Sequence, residues 1–256
     1  IPAFRPMTRG NMMQDKENVV LGKNPLLELL RHAPEKVETV FIQESRQKKV
    51  GEILSLCREN KIHYQMVPRV FLDKMGTGHQ GLGARIFHIG YVYPQDLLQN
   101  VQSAKLPLIL ALDQLQDPGN IGVLARTLFA LGGKGLVLTR HRSASLGPVA
   151  VKSSAGALKR IPVARVANLA KFLDEAEDNQ WHIYGTGRTE CSVNVFLQEI
   201  QHPLILVLGN EEKGLRPGVA KRCQSILSIP LASGFDSLNV AQAGAMIMGE
   251  ILRRSF

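Results

Sequence analysis

The chain has no hydrophobic run long enough to cross a bilayer. Its most apolar stretches, Leu106–Leu112 and Pro203–Gly209, fall far short of the roughly 20 residues a spanning helix needs, so no membrane association is expected. Its three cysteines, Cys57, Cys191 and Cys223, form an odd set without a CxxC pair, which encodes neither a disulfide framework nor a zinc knuckle. A cell interior is the expected compartment. Seven histidines show no HExxH or comparable spacing, and no metal site is expected. Gly209–Gly214 lacks the terminal Lys-Ser/Thr of a Walker loop. The one literal GxGxxG, Gly76–Gly81, follows a helix-like segment and leads into a strand-like one. A dinucleotide fingerprint requires the reverse order, so this segment reads as a turn.

What the chain does have is a foldable composition and an excess of positive charge. With 45% hydrophobic and 21% charged residues over 256 positions, one large or two modest domains are expected. Lysine and arginine number 31 against 22 acids, so the net charge is 31 − 22 = +9, which points to a polyanionic partner. The excess is concentrated: Arg140, Arg142, Lys152, Lys159, Arg160 and Arg165 lie in a stretch without an acid.

Residues 1–18 read as a disordered basic arm. From Val19 a small α/β unit runs to Tyr93, with extended segments at Val19–Leu21, Val37–Ile42 and Ile62–Val67 and helices at Pro25–Arg31 and Lys48–Glu59. The polar segment 94–106, bounded by prolines, reads as a linker with at most one short helix. Residues 107–256 then alternate more regularly. Strands are expected at Leu108–Leu112, Gly135–Thr139, His182–Gly185, Leu204–Leu208 and Ser225–Ile229, and helices at Asn120–Leu131, Ser145–Leu158, Asn168–Asp178 and Leu238–Arg254. Short aliphatic strands between helices indicate an α/β fold with a parallel sheet covered on both faces, and such sheets bind ligands at the carboxyl ends of their strands.

Three strand-to-loop junctions carry the candidate chemistry. In the first, Asp117 can cap a helix that Pro118 initiates. Arg126, six residues after Asn120, is turned about 120° away from it and leaves the buried stripe, either as a surface arginine or as a substrate-facing cation. In the second, a buried strand breaks into Gly209-Asn210-Glu211. Glycine there allows close ligand approach, and Glu211 reads equally as a solvated acid or as an acceptor for a substrate or an arginine; Glu212 suits the solvated reading. In the third, Ile229-Pro230 leads to Ser237-Leu238-Asn239, where Ser237 can cap a helix whose Ala241, Gly244 and Ala245 permit close packing.

Together the junctions resemble the three motifs of the SpoU/TrmH family of S-adenosylmethionine-dependent RNA ribose methyltransferases, within the SPOUT class. The motifs are Asn120-Ile-Gly-Val-Leu-Ala-Arg126, Leu208-Gly209-Asn210-Glu211-Glu-Lys-Gly214-Leu215, and Ile229-Pro230 with Ser237-Leu238-Asn239-Val240. Gly22-Lys23-Asn24-Pro25 and His79-Gln80-Gly81 are similar to the family's small ribosomal-protein-like RNA-binding domain. The whole is most like bacterial 23S rRNA guanosine-2′-O-methyltransferases, with Ala241 standing where relatives often have serine.

The resemblance implies a SPOUT-type parallel sheet with a carboxyl-terminal trefoil knot, and a homodimer with its active site near the interface. S-adenosylmethionine would lie against Thr186, Gly187, Leu208, Gly209, Asn210, Ile229, Pro230, Leu231 and Leu238. Arg126 would act on the target nucleotide, as a base or, preferably, as a cation easing hydroxyl deprotonation. Glu211 would hold Arg126 or the ribose, and Asn120, Ser237 and Asn239 would fix phosphate and hydroxyl. RNA would contact Lys23, His79, Arg140, Arg142, Lys152, Lys159 and Arg160, with base stacking secondary because only 5% of residues are aromatic. A tRNA ribose methyltransferase and a non-catalytic ribosome assembly factor are the competing readings, and a mitochondrial matrix is the alternative to a bacterial cytoplasm.

Overall fold

The computed structural model describes residues 19–86, 89–232 and 237–255; the basic arm expected over 1–18 lies outside them. Two compact units divide at residues 88 and 89. In the first, strands β1 (Val19–Leu21), β2 (Val37–Gln43), β3 (His63–Val67) and β4 (Leu82–Ile86) form a mixed sheet of order β1-β4-β2-β3. Alternation along β2 decides its two faces. Val40 and Ile42 pack with helices α1 (Lys23–His32) and α2 (Gly51–Glu59), whereas Phe41 packs with Val67 and with Leu72 of α3 (Arg69–Met75).

The second unit is built on an eight-stranded sheet. Its strands are β5 (Tyr91–Val92), β6 (Leu108–Leu112), β7 (Gly135–Thr139), β8 (Val163–Val166), β9 (His182–Thr186), β10 (Val193–Asn194), β11 (Leu204–Leu208) and β12 (Ser225–Ser228). The order is β10-β12-β9-β11-β6-β7-β8-β5 and every pairing is parallel. All residues of β6, β7 and β11 are buried, which is why they read as unbroken aliphatic runs. Leu108, Leu110 and Leu112 face helices α5 (Pro118–Ala130), α6 (Pro148–Ser153) and α9 (Val240–Arg254). Ile109 and Ala111 face α4 (Pro94–Gln102) and α7 (Leu169–Asp178) on the other side, where Val219 of the short α8 (Pro217–Ala220) also packs. Each such leucine contributes about 1.5–3 kcal/mol by its burial.

Several expectations are corrected. The segment 94–106 does carry one short helix, but it is more than a linker: α4 buries Leu97, Leu98 and Val101 as one stripe in the second unit's core, and its prolines and polar outer face hid that burial. β8 was not anticipated, because Val163-Ala-Arg-Val is short and carries a charge. The helix expected over 145–158 stops at Ser153, since Ala155 and Gly156 take positive φ values of 47° and 84°. The last helix starts at Val240 and is capped by Asn239, whose Oδ1 accepts from the amides of Ala241 and Gln242 (2.8 and 3.4 Å); Ser237 does not cap it. The small-residue face of α9 does pack closely. A Cβ on Gly244 would lie 2.5 Å from Leu124 and 2.9 Å from Leu208. No helix among the described residues is long and apolar enough to cross a membrane.

Candidate active site

All three junctions lie at the carboxyl rim of the eight-stranded sheet. Asp117 caps α5 as its sequence position predicts, accepting from the amides of Gly119 (2.8 Å) and Asn120 (3.3 Å), with Pro118 first in the helix. Asp113, at the end of β6, is fully buried. It accepts from Arg216 Nε (2.7 Å) and from the Arg216 amide (3.0 Å), tying the segment after β11 to the end of β6. Sequence reasoning missed this pair: its members are 103 residues apart, and nothing local to Asp113 announces a buried charge.

The loop after β11 is a tight hairpin. Asn210 and Gly214 exchange main-chain hydrogen bonds (3.0 and 2.9 Å), and Asn210 Oδ1 accepts from the amides of Glu212 and Lys213 (both 3.1 Å). The amide nitrogen of the Asn210 side chain donates to the Gln114 carbonyl (3.0 Å). The hairpin folds back so closely that a Cβ on Gly209 would sit 2.3 Å from the Gly214 carbonyl carbon and 2.5 Å from the Leu215 nitrogen. Only glycine fits there.

Glu211 projects from this hairpin to the entrance of α5. Its carboxylate accepts from the amides of Asp117 (3.3 Å) and Gln116 (3.5 Å), and from the side-chain amides of Asn120 (3.4 Å) and Asn210 (3.4 Å). Asn120 in turn accepts at Oδ1 from Asn239 Nδ2 (3.2 Å). One line of hydrogen bonds, Glu211–Asn120–Asn239, therefore joins all three junctions. Arg126 is not part of it. It is exposed as its helical position requires, and it makes no hydrogen bond or ion pair among the described residues. The acceptor capacity of Glu211 is directed to amides, not to that guanidinium.

Beside this line opens a cavity of about 500 Å³, within the range of sites that enclose small-molecule ligands. Thr186, Gly187, Gly209, Asn210, Ile229, Leu231 and Leu238 line it, together with Glu211, Ser237 and Asn239. Two residues expected to touch a cofactor do not line it: the Leu208 side chain is fully buried and packs against α9 beneath the floor, and Pro230 points to solvent. Arg188, Glu212, Leu227, Ser228, Ala243 and Ile247 also line it. The doublet Glu211-Glu212 was the one sequence signal for the second acid. The Thr186 hydroxyl donates to the Val207 carbonyl (3.2 Å) and holds β9 against β11 at the cavity edge. The donor set suits a nucleoside-like ligand: main chain bared by glycine, an apolar slot of Leu227, Ile229, Leu231 and Leu238, and carboxylates at the rim.

Among the expected RNA contacts, Lys23, Arg140, Arg142, Lys152, Lys159 and Arg160 are exposed. Arg160 lies over the Phe129 ring, 4.9 Å from its centroid. His79 is corrected. It is 7% exposed, its Nδ1 accepts from the Gly81 amide (2.9 Å), and its Nε2 faces Asp73 (2.9 Å). Both ring nitrogens hold the Gly76–Gly81 turn, so the residue has nothing left for RNA.

Residues 107–249 match the SpoU rRNA Methylase family, and residues 19–92 match the RNA 2′-O ribose methyltransferase substrate-binding family. The chain belongs to the SpoU methylase family. It is an RNA methyltransferase. An uncharacterized tRNA/rRNA methyltransferase of Mycolicibacterium smegmatis is similar to this SpoU chain, 36% identical over 252 residues that cover 96% of it and 79% of the relative. The SpoU methyltransferase AviRb of Streptomyces viridochromogenes, solved with AdoMet, superposes with a TM-score of 0.61 at 25% identity, covering 96% of this chain and 93% of that one. The AdoMet-bound rRNA methyltransferase of Sinorhizobium meliloti shares the fold, with a TM-score of 0.61 at 22% identity and coverage of 95% and 90%.

Proposed function

We propose that the protein methylates a ribose 2′-hydroxyl of RNA, a guanosine of large-subunit ribosomal RNA, and that the cavity at the sheet rim holds S-adenosylmethionine. The observation that carries this reading is the Glu211–Asn120–Asn239 line, which sets a carboxylate and two amides at the mouth of a nucleoside-sized cavity. The cofactor supplies an electrophilic methyl group on sulfur. The main chain of Thr186, Gly187, Gly209 and Asn210 would hold its polar groups, and Ile229, Leu231 and Leu238 would enclose its adenine. Asn120 and Asn239 orient the target phosphate and hydroxyl, Ser237 adds a hydrogen bond at the same mouth, and Glu211 positions Asn120. Alignment of this kind supplies a large share of the rate in a displacement reaction. Arg126 acts as the cation that favours the ionised hydroxyl.

Arg126 stands outside the cavity of its own chain. This supports a homodimer in which the guanidinium of one copy serves the nucleotide held by the other. The return of α9 from β12, across β9 and β11, to pack on α5 supports the knotted path that the resemblance implies. A bacterial cytoplasm suits such an enzyme. Relatives named tRNA/rRNA methyltransferase keep tRNA as the second reading. The test incubates the protein with methyl-labelled S-adenosylmethionine and separate rRNA and tRNA pools, then digests to nucleosides. Label in 2′-O-methylguanosine from rRNA is expected, and label only in base-methylated nucleosides would refute the ribose assignment.

A further inference from the structure

A second cleft opens on the same carboxyl rim, at the opposite edge of the sheet. It has a volume of about 490 Å³ and is lined by Tyr91, Val92, Tyr93, Pro94, Arg140 and Arg165. The lining includes no acid. Two of the chain's four tyrosines stand there, Tyr91 at 45% and Tyr93 at 76% exposure, while the neighbouring core is filled by Leu97, Leu98 and Val101 of α4. Tyr93 continues β5 in an extended conformation (φ −67°, ψ 138°), so it falls on the same side as Tyr91.

Neither arginine is paired with an acid among the described residues. Arg165 lies with its Cζ 5.0 Å from the Tyr91 ring centroid. It is held there by a cation–π contact, not by a carboxylate, and its Nε is buried without an acceptor among the described residues. Arg140 follows β7 directly, is exposed, and its side chain has no hydrogen-bond or ion-pair partner among the described residues. Two guanidinium groups, one of them already against the Tyr91 ring, beside the exposed ring of Tyr93 match the chemistry of a nucleotide within a single strand: phosphate for the cations and a base for the ring.

We propose that the cleft of Tyr91, Tyr93, Arg140 and Arg165 is an RNA subsite, stacking an unpaired base and holding its phosphate a few nucleotides from the one being methylated. The proposal rests on the RNA ribose reading above and gives that reading a flanking contact. Strand order supplies the distance. β8 lies three inter-strand spacings from β11, which carries Gly209 at its end, or about 14 Å along the rim. The low overall aromatic content therefore misleads, because the tyrosines that matter are gathered in one place.

The test measures equilibrium binding of a labelled, short single-stranded oligouridylate, and of an abasic strand of equal length, to the full chain. Tyr93→Ala should weaken oligouridylate roughly tenfold, in keeping with the loss of one base stack, and leave the abasic strand unchanged; Tyr93→Phe should bind as wild type. Arg140→Ala should weaken both strands and reduce the salt slope by about one phosphate contact. S-adenosylmethionine affinity should stay the same throughout. The subsite is refuted if Tyr93→Ala binds oligouridylate as wild type, or if it loses the abasic strand equally. Should the base-dependent contrast persist in a protein that labels no RNA, the subsite stands and the methylation reading fails.

Discussion

Gly209→Ala is the sharpest perturbation available to the site. Its Cβ would lie 2.3 Å from the carbonyl carbon of Gly214, so the facing main chain must retreat by about 1.2–1.7 Å to reach ordinary contact. That movement strains the two hydrogen bonds of the Asn210–Gly214 hairpin, each contributing about 0.5–1.5 kcal/mol. It also displaces Glu211 from the amides of Gln116 and Asp117. Overpacking of this kind costs about 1–3 kcal/mol, which for a unit of this size lowers the melting temperature by about 2–12 °C. Because the hairpin is also a wall of the cavity, S-adenosylmethionine affinity measured by calorimetry should fall at least tenfold, equivalent to about 1.4 kcal/mol. The first unit should melt as before. A Gly209→Ala protein with unchanged melting and unchanged cofactor affinity would refute the claim that close approach at this residue shapes the site.

Arg216→Ala should destabilise the second unit by roughly 3 kcal/mol in thermal unfolding, since it leaves the fully buried Asp113 without its counter-charge. His79→Ala should destabilise the first unit by about 1–3 kcal/mol through the lost Gly81 contact, while the salt dependence of RNA binding stays as in wild type. Acid stability should depend on Glu250, whose carboxyl is held down at about 2 by hydrogen bonds first from Arg253 and then from Arg254. A carboxyl lowered in the folded state contributes stability that is complete above its ordinary value of 4.5 and is lost as pH falls toward about 2. Glu250→Gln should flatten that acid limb in denaturation followed by circular dichroism.

The first two junctions were legible because each is a fully buried aliphatic strand that breaks abruptly into polar residues, as Leu204–Leu208 does before Gly209-Asn210; the third, after the partly buried Ser225–Ser228, was legible from the helix-capping residues that precede Val240. The Asp117-Pro118 helix entrance was legible for the same local reason. Features set by distant partners were not. Asp113 reads as one more residue of a polar loop until Arg216, 103 residues later in the chain, arrives from the segment after the neighbouring strand β11. His79 reads as a surface histidine until Asp73 and the Gly81 amide occupy both its nitrogens. Ser237 and Asn239 are both good helix caps, and the choice fell to Asn239, whose side chain also reaches Asn120. The strand Val163–Val166 was hidden by its shortness and its charge, and the core burial of the short helix Pro94–Gln102 by flanking prolines and a polar outer face.

Hydrogen exchange on the protein with and without S-adenosylmethionine tests the central claim most directly. Protection should appear together in the segments around Thr186–Arg188, Gly209–Gly214, Ser228–Leu231 and Ser237–Val240, with the Gly76–Gly81 turn unaffected. Protection confined to one of those segments, or centred on that turn, would contradict the account.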